Sequence, residues 1–192
     1  MRAVVVEEFK PYDQHEIREW PSPEAGPRQV KFRTQAIGVS FAESLLVSGQ
    51  YQRRPPLPFV AGFEVAGIVT ECGEGVTRFR PGDRVCGLID WGAMAEEAVA
   101  LEVSLHKMPD AMSFGEATAI ASSYATSAAA LTWPHLLNVQ AGDWLLVHGA
   151  TGGVGMAAVE MGKILGAKVI ATAGSPEKIA LTQARGADHS IN

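Results

Sequence analysis

Between an apolar stretch and an amphipathic one, the chain reads Ala150-Thr151-Gly152-Gly153-Val154-Gly155. Before it, Trp144-Leu145-Leu146-Val147-His148 has almost no polarity, which predicts a strand buried on both faces of a parallel sheet. After it, Val154, Ala157, Ala158, Met161, Ile164 and Leu165 fall at helical spacing on one face, and Gly166 ends the helix. Lys168 to Ala173 reads as a second strand. Ser175 caps a second helix, with Pro176 in its first position. Asp188 to Asn192 reads as the start of a third strand. The run between strand and helix follows the pattern G-x-G-x-x-G with alanine in the first place. Small residues serve a physical need there. The chain turns sharply, a pair of linked phosphates comes close to backbone N–H groups, and the helix start supplies unpaired donors. A plain tight turn also accepts glycines; the strand–loop–helix–strand frame favours a dinucleotide site.

The end of the second strand bears on which dinucleotide. A site for NAD places Asp or Glu about 20 residues past the loop, on the ribose 2′-hydroxyl. This chain has Thr172-Ala173-Gly174-Ser175 there, with no carboxylate to repel a 2′-phosphate. Lys178 offers positive charge, and Glu177 beside it is a rival acid. The expected cofactor is therefore NADPH. It would be held by Ala150, Thr151, Gly152, Gly153, Val154 and Gly155, then by Gly174, Ser175 and Lys178.

The first half is β-rich. Arg2 to Glu7 is a β-branched run. From Val30, apolar Val30, Phe32, Thr34 and Ala36 alternate with Lys31, Arg33 and Gln35, the period of a half-buried strand. A short helix is expected over Phe41 to Val47, ended near Gly49. The loop Pro55-Pro56-Leu57-Pro58 runs extended. Glu64 to Glu71 and Arg84 to Leu88 read as strands, the second after the turn Pro81-Gly82-Asp83. Short strands between Gly and Pro turns suggest a small barrel. Near Ser113 the texture changes, and Phe114 to Leu137 reads as helical structure interrupted at Pro134. Residues 1–112 are thus assigned to a β domain and 113–192 to the start of a nucleotide-binding domain.

A hydrophobic fraction of 47% against 19% charged residues suits a folded chain with a real core. The net charge of −5 has no basic run, which disfavours nucleic acid. Cys72 and Cys86 form no Cys-x-x-Cys pair and fit a reducing compartment. No apolar run reaches membrane-span length, and the start of the chain does not read as a signal peptide. A cytoplasmic protein without membrane contact is the expectation.

Taken together, Gly38-Val39-Ser40-Phe41-Ala42-Glu43, Gly49-Gln50-Tyr51, Pro55 to Glu64, Gly82-Asp83-Arg84-Val85, the segment Val147 to Gly155 and Gly186-Ala187-Asp188 resemble the medium-chain dehydrogenase/reductase superfamily. The similarity is strongest to its zinc-independent quinone oxidoreductase branch. The resemblance implies a GroES-like β-barrel followed by a Rossmann domain, here only its first half, because family members continue well beyond residue 192. Zinc-using members carry Cys at the place of Ser40 and His at that of Phe63; only Glu64 is kept, so no metal is expected. The branch usually has Asn where this chain has Ser40.

By the same resemblance, Tyr51 lines the substrate pocket and Thr126 lies near the nicotinamide. From the sequence alone Tyr51 equally suits packing over the proline loop, and Thr126 an ordinary helix position. The implied activity is reduction of a small-molecule quinone or enone by NADPH, with Ser40, Tyr51 and Thr126 as orienting residues. No carboxylate pair or His-Asp relay stands out as a general acid, so the proton is expected from solvent. His15, His106, His135, His148 and His189 receive no role. An enoyl or alkenal reductase, a truncated nucleotide-binding module without turnover, and a crystallin-like or RNA-binding role are the alternatives. The acidic charge weighs against RNA. A full-length form is expected to be a homodimer.

Overall fold

A computed structural model describes residues 1–192. It contains two compact units, Met1–Thr118 and Ala119–Asn192.

In the first unit, β1 (Arg2–Val6), β2 (Glu16–Glu19) and β4 (Phe59–Val60) form a small antiparallel sheet in the order β2-β1-β4. A larger antiparallel sheet holds β3 (Gln29–Gly38), β5 (Glu64–Cys72), β6 (Arg84–Leu88), β7 (Glu97–Leu101) and β8 (Leu105–Lys107), in the order β7-β3-β5-β6-β8. The alternation read from Val30 fixes the register of β3. Val30 and Phe32 are fully buried with Val65, Val69, Val85 and Leu105, while Arg33 is exposed. The register then slips between Thr34 and Ala36, where a bulge bends the strand end that leads to Ser40. Four strands lacked a readable pattern, the two-residue β4 among them. β2 is Glu-Ile-Arg-Glu and wholly exposed, so only its pairing with β1 defines it. β7 and β8 are short and are likewise defined by their neighbours on the sheet.

Helix α1 (Phe41–Val47) forms where expected and buries Leu46 and Val47 against Val6, Phe59 and Ala61. Helix α2 (Phe114–Ala119) carries Ala117 into a cluster with Ala66, Cys86 and Met108. Its start is a complete capping box. Ser113 N–H and Oγ donate to Glu116 Oε2 at 2.9 and 2.7 Å, and Glu116 N–H donates back to Ser113 Oγ at 3.2 Å.

The helical stretch expected over Phe114 to Leu137 is divided and shorter. A π-helical turn over Ile120–Tyr124 follows α2, then α3 (Ala125–Thr132) ends before Pro134. Proline has no N–H to continue the ladder and pushes Trp133 into extended backbone (ψ 134°).

The second unit is a parallel sheet, β9 (Trp144–Val147), β10 (Lys168–Thr172) and β11 (His189–Ile191), in the order β11-β10-β9. Helices α4 (Gly153–Ile164) and α5 (Pro176–Ala184) connect the strands. This is the 3-2-1 arrangement of one mononucleotide half of a doubly wound domain. One expectation fails: β9 is not buried on both faces. Leu145 and Val147 lie under α4, whereas Trp144 and Leu146 are 57% and 52% exposed. Helix α4 covers a single face, where Gly162 lets it sit directly on Leu145 and Val169.

Candidate functional site

The turn between β9 and α4 is built by two glycines with different duties. Gly149 takes φ +60°, in the left-handed region, and makes the sharp turn. The G-x-G-x-x-G pattern assigns that role to Ala150, one residue later. Ala150 is instead fully buried in the sheet core, with its N–H on Thr172 O at 3.0 Å. Gly155 allows close approach. A Cβ there would lie 2.5 Å from Gly149 O and 2.9 Å from Ala150 Cα. Gly152 is the N-cap of α4 and supplies no side-chain cap. Its own N–H turns back to Gly149 O at 3.0 Å, and Met156 N–H returns to Gly152 O at 2.8 Å. The N–H groups of Gly153, Val154 and Gly155 therefore have no acceptor in the protein. Gly153 and Val154 are exposed, and Gly155 is half-buried against Gly149. The result is a patch of aligned amides at the positive end of a twelve-residue helix. A cavity of about 520 Å³ opens beside them, lined by Ser127, Leu146, His148, Gly149, Gly152 and Val154 among others.

At the end of β10, Gly174 is exposed, and a Cβ on it would meet nothing within 4 Å. Ser175 Oγ is already engaged, accepting from Lys178 N–H at 3.4 Å as the cap of α5. Lys178 is exposed and its ammonium joins no ion pair. Glu177 is held below the usual carboxylate range by its own backbone N–H and the Ser175 hydroxyl, so it stays ionised beside the lysine. His148 Nδ1 lies 3.2 Å from Thr172 Oγ1, joining the ends of β9 and β10.

Helix α3 is fastened along α4. Ser127, almost fully buried, donates from Oγ to Val154 O at 2.8 Å. Tyr124 donates its hydroxyl to Glu160 Oε2, and Arg185 Nη1 donates to Glu160 Oε1 at 2.5 Å. The tyrosine hydrogen bond, more than Arg185, holds Glu160 ionised and pushes the phenol up. Thr126, one residue before Ser127, is exposed and its hydroxyl is unbonded within the protein. No short-range pattern in an Ala-rich stretch marks Ser127, Tyr124 or Glu160, since their partners lie 27 and 36 residues away.

In the first unit, Ser40 and Tyr51 flank α1, and Tyr51 and Glu43 contact the segment Gly62–Glu64. The Tyr51 ring packs on Phe63, with centroids 5.6 Å apart. Glu43, on the first turn after Ser40, accepts from Gly62 N–H at 2.8 Å through Oε1. Gly62 has φ +102°, and a Cβ there would lie 2.5 Å from Met94 N, so only glycine fits. Glu64 is 9% exposed and lies against Gly38, where a Cβ would fall 2.0 Å from Glu64 Oε2. No group of three or more His, Cys, Asp and Glu side chains converges on a possible metal site in either unit.

Comparison with known proteins agrees with this architecture. The model of the alcohol dehydrogenase GroES-like domain matches residues 26–110. Quinone oxidoreductase-like protein 2 of Rattus norvegicus is 38% identical over 193 residues, covering 100% of this chain and 54% of that protein. The quinone oxidoreductase of Pseudomonas syringae pv. tomato DC3000 superposes with TM-score 0.92 at 36% identity, covering 99% of this chain and 58% of that one. That of Thermus thermophilus, solved also with NADPH, superposes with TM-score 0.86 at 33% identity, covering 99% and 59%. The chain spans about half the length of the curated relatives it matches. A GroES-like domain followed by the first half of a Rossmann domain is the architecture these residues build, and it is the one shared with these oxidoreductases. Among them the chain is similar to quinone oxidoreductases over nearly its whole length.

Proposed function

We propose that this chain carries the GroES-like domain and the phosphate-binding half-sheet of an NADPH-dependent reductase of quinones or related conjugated carbonyls. One observation supports it above the rest: three amides at the start of α4, left without any protein acceptor, behind a glycine N-cap. Most helix starts satisfy such donors with a Ser, Thr, Asp or Asn side chain, as Ser175 does for α5. Here the donors suit the linked phosphates of a dinucleotide. The residues fit the group: a Cβ on Gly152 would meet only Gly149 O, at 3.4 Å, and one on Gly153 would lie 2.7 Å from Ser123 Oγ, so a phosphate meets backbone and a serine hydroxyl. The absence of a carboxylate on Thr172-Ala173-Gly174-Ser175, with Lys178 unpaired, favours a 2′-phosphate; Glu177 is the opposing charge.

When bound, a dihydronicotinamide supplies the hydride. The chain's own residues bind and orient. Gly153, Val154 and Gly155 N–H hold the phosphates. Lys178 lends charge to the adenosine end, and the unbonded Thr126 hydroxyl offers a contact for the nicotinamide end. Ser40 and Tyr51 offer hydroxyls to a carbonyl oxygen. Titration with NADPH and NADH tests the reading, followed by NADPH oxidation with a panel of quinones and enones. At least tenfold tighter binding of NADPH than NADH is expected; no binding of either overturns it.

A further inference from the structure

Gly153 opens α4, and unlike Gly149 its φ lies outside the left-handed region. The backbone there accepts any residue, and alanine favours a helix more than glycine does. The need for glycine comes from what a side chain would meet. A Cβ at Gly153 would lie 2.7 Å from Ser123 Oγ, while Ser123 Cβ is farther off, at 3.8 Å. The missing side chain is thus the space in which the Ser123 hydroxyl sits. Ser123 reaches that space from the π-helical turn Ile120–Tyr124, a widened turn of the kind that recurs at functional sites. The segment that follows is tied to α4 twice: Tyr124 donates to Glu160 Oε2, and Ser127 Oγ donates to Val154 O at 2.8 Å. Ser127 is buried and satisfied, whereas Ser123 is half-buried and its hydroxyl bonds to no group of the protein. Solvent reaches that hydroxyl, since the buried side-chain atoms without a partner are His15 Nδ1, Thr34 Oγ1 and Glu43 Oε2. A free, accessible hydroxyl therefore lies against the first residue of α4, whose N–H is one of three amides without an acceptor. All of these residues belong to the second unit.

We infer that Ser123 is a ligand of the cofactor's linked phosphates, and that position 153 is glycine to leave room for its hydroxyl. The inference deepens the reductase reading above and rests on it. The amides of Gly153, Val154 and Gly155 are fixed in direction by the helix, whereas a hydroxyl hydrogen rotates to suit its acceptor. Ser123 O–H donates to a phosphate oxygen beside those amides. A hydrogen bond to an ionised acceptor is about twice as strong as one between neutral groups. The two linked phosphates are the part that NADPH and NADH share. Ser123 therefore adds affinity for both and does not choose between them, in contrast to Lys178, which acts on the 2′-phosphate. The geometry also couples the two positions. An alanine methyl at 153 takes the place of Ser123 Oγ, the mobile end of a flexible side chain, and turns it away without breaking the fold. Gly153→Ala and Ser123→Ala are then one loss reached from two sides.

The test is isothermal titration of the full chain with NADPH, NADH and inorganic pyrophosphate, for Ser123→Ala, Gly153→Ala, the double variant and Ser122→Ala. Ser123→Ala should weaken all three about tenfold, with the ratio of NADPH to NADH affinity unchanged. Gly153→Ala should show the same loss, and the double variant should bind no more weakly than either single one. Ser122→Ala should match the wild type. Thermal melts confirm that each variant folds. The double variant should melt at or above Ser123→Ala, because its new methyl then faces Ser123→Ala Cβ at the ordinary contact of 3.8 Å. Wild-type binding of all three probes by Ser123→Ala overturns the inference, and so do losses from the two positions that add. Pyrophosphate separates the two readings. If the wild type binds pyrophosphate and neither nucleotide, the reductase reading falls and Ser123 is judged by the pyrophosphate titrations. If it binds none of the three, both fall.

Discussion

Replacing Gly155 by alanine isolates the close contact on which the phosphate loop depends. Alanine is the better helix former by about 1 kcal/mol, so an unhindered position in α4 would gain that much. At Gly155 the new methyl would meet Gly149 O at 2.5 Å, Ala150 Cα at 2.9 Å and Gly149 C at 3.1 Å. All three are backbone atoms and cannot rotate aside. Overpacking of this kind costs about 1–3 kcal/mol, and a shift of Gly149 also strains the Gly152 N–H to Gly149 O bond, worth about 1 kcal/mol. The net expectation is a loss of roughly 1–3 kcal/mol. Urea unfolding followed by Trp133 and Trp144, which report on the second unit, measures it. Gly115→Ala is the control: it lies in α2 with nothing within 4 Å, and should gain up to about 1 kcal/mol. If Gly155→Ala is as stable as the wild type, the loop does not lie on the helix as described. The amides would then not be presented by close packing, and the cofactor argument loses its geometric basis.

Gly152→Ala should behave oppositely: with φ −73° and only a 3.4 Å contact, it should fold within about 0.5 kcal/mol of wild type, yet bind NADPH at least tenfold more weakly by fluorescence titration. Lys178→Glu should weaken NADPH about tenfold and leave NADH unchanged in the same titration; an equal effect on both would remove the lysine from the 2′-phosphate. Glu102, nearly fully buried and bonded to Thr77 N–H, Arg78 N–H and Arg28, has its carboxyl held below the usual range by those backbone donors first. The stability it contributes is present above its unfolded value and lost as pH falls through the depressed one. Glu102→Gln should flatten that part of the acid unfolding profile, and an unchanged profile would refute the assignment. Glu43 has the reverse sign. Its carboxyl is raised, so ionising the unfolded chain costs the native state stability as pH rises above the ordinary carboxylate range. The stability of Glu43→Gln relative to wild type should therefore rise over that interval, as melts from acid to neutral pH would show.

Local chemistry along the chain was enough to define the strand–glycine loop–helix frame, the alternation of β3, the bounds of α1, and the cap and proline that open α5. Each depends on side-chain period or on sterics within a few residues, which a linear sequence displays directly. The choice of hydrogen-bond partners was decided only by tertiary structure. Glu43 takes Gly62, 19 residues away, in preference to the capping box three residues back, while Glu116 with the same spacing takes the box. The difference lies in burial beside the Gly62 turn, where a glycine amide needs an acceptor and the Glu43 side chain is buried. In the same way, β9 reads as buried on both faces, but burial belongs to what packs on a strand: α4 covers Leu145 and Val147, while Trp144 and Leu146 are exposed in these residues. The three amides of α4 are free for a similar reason: the fold brings every other acceptor elsewhere, and no local pattern records that.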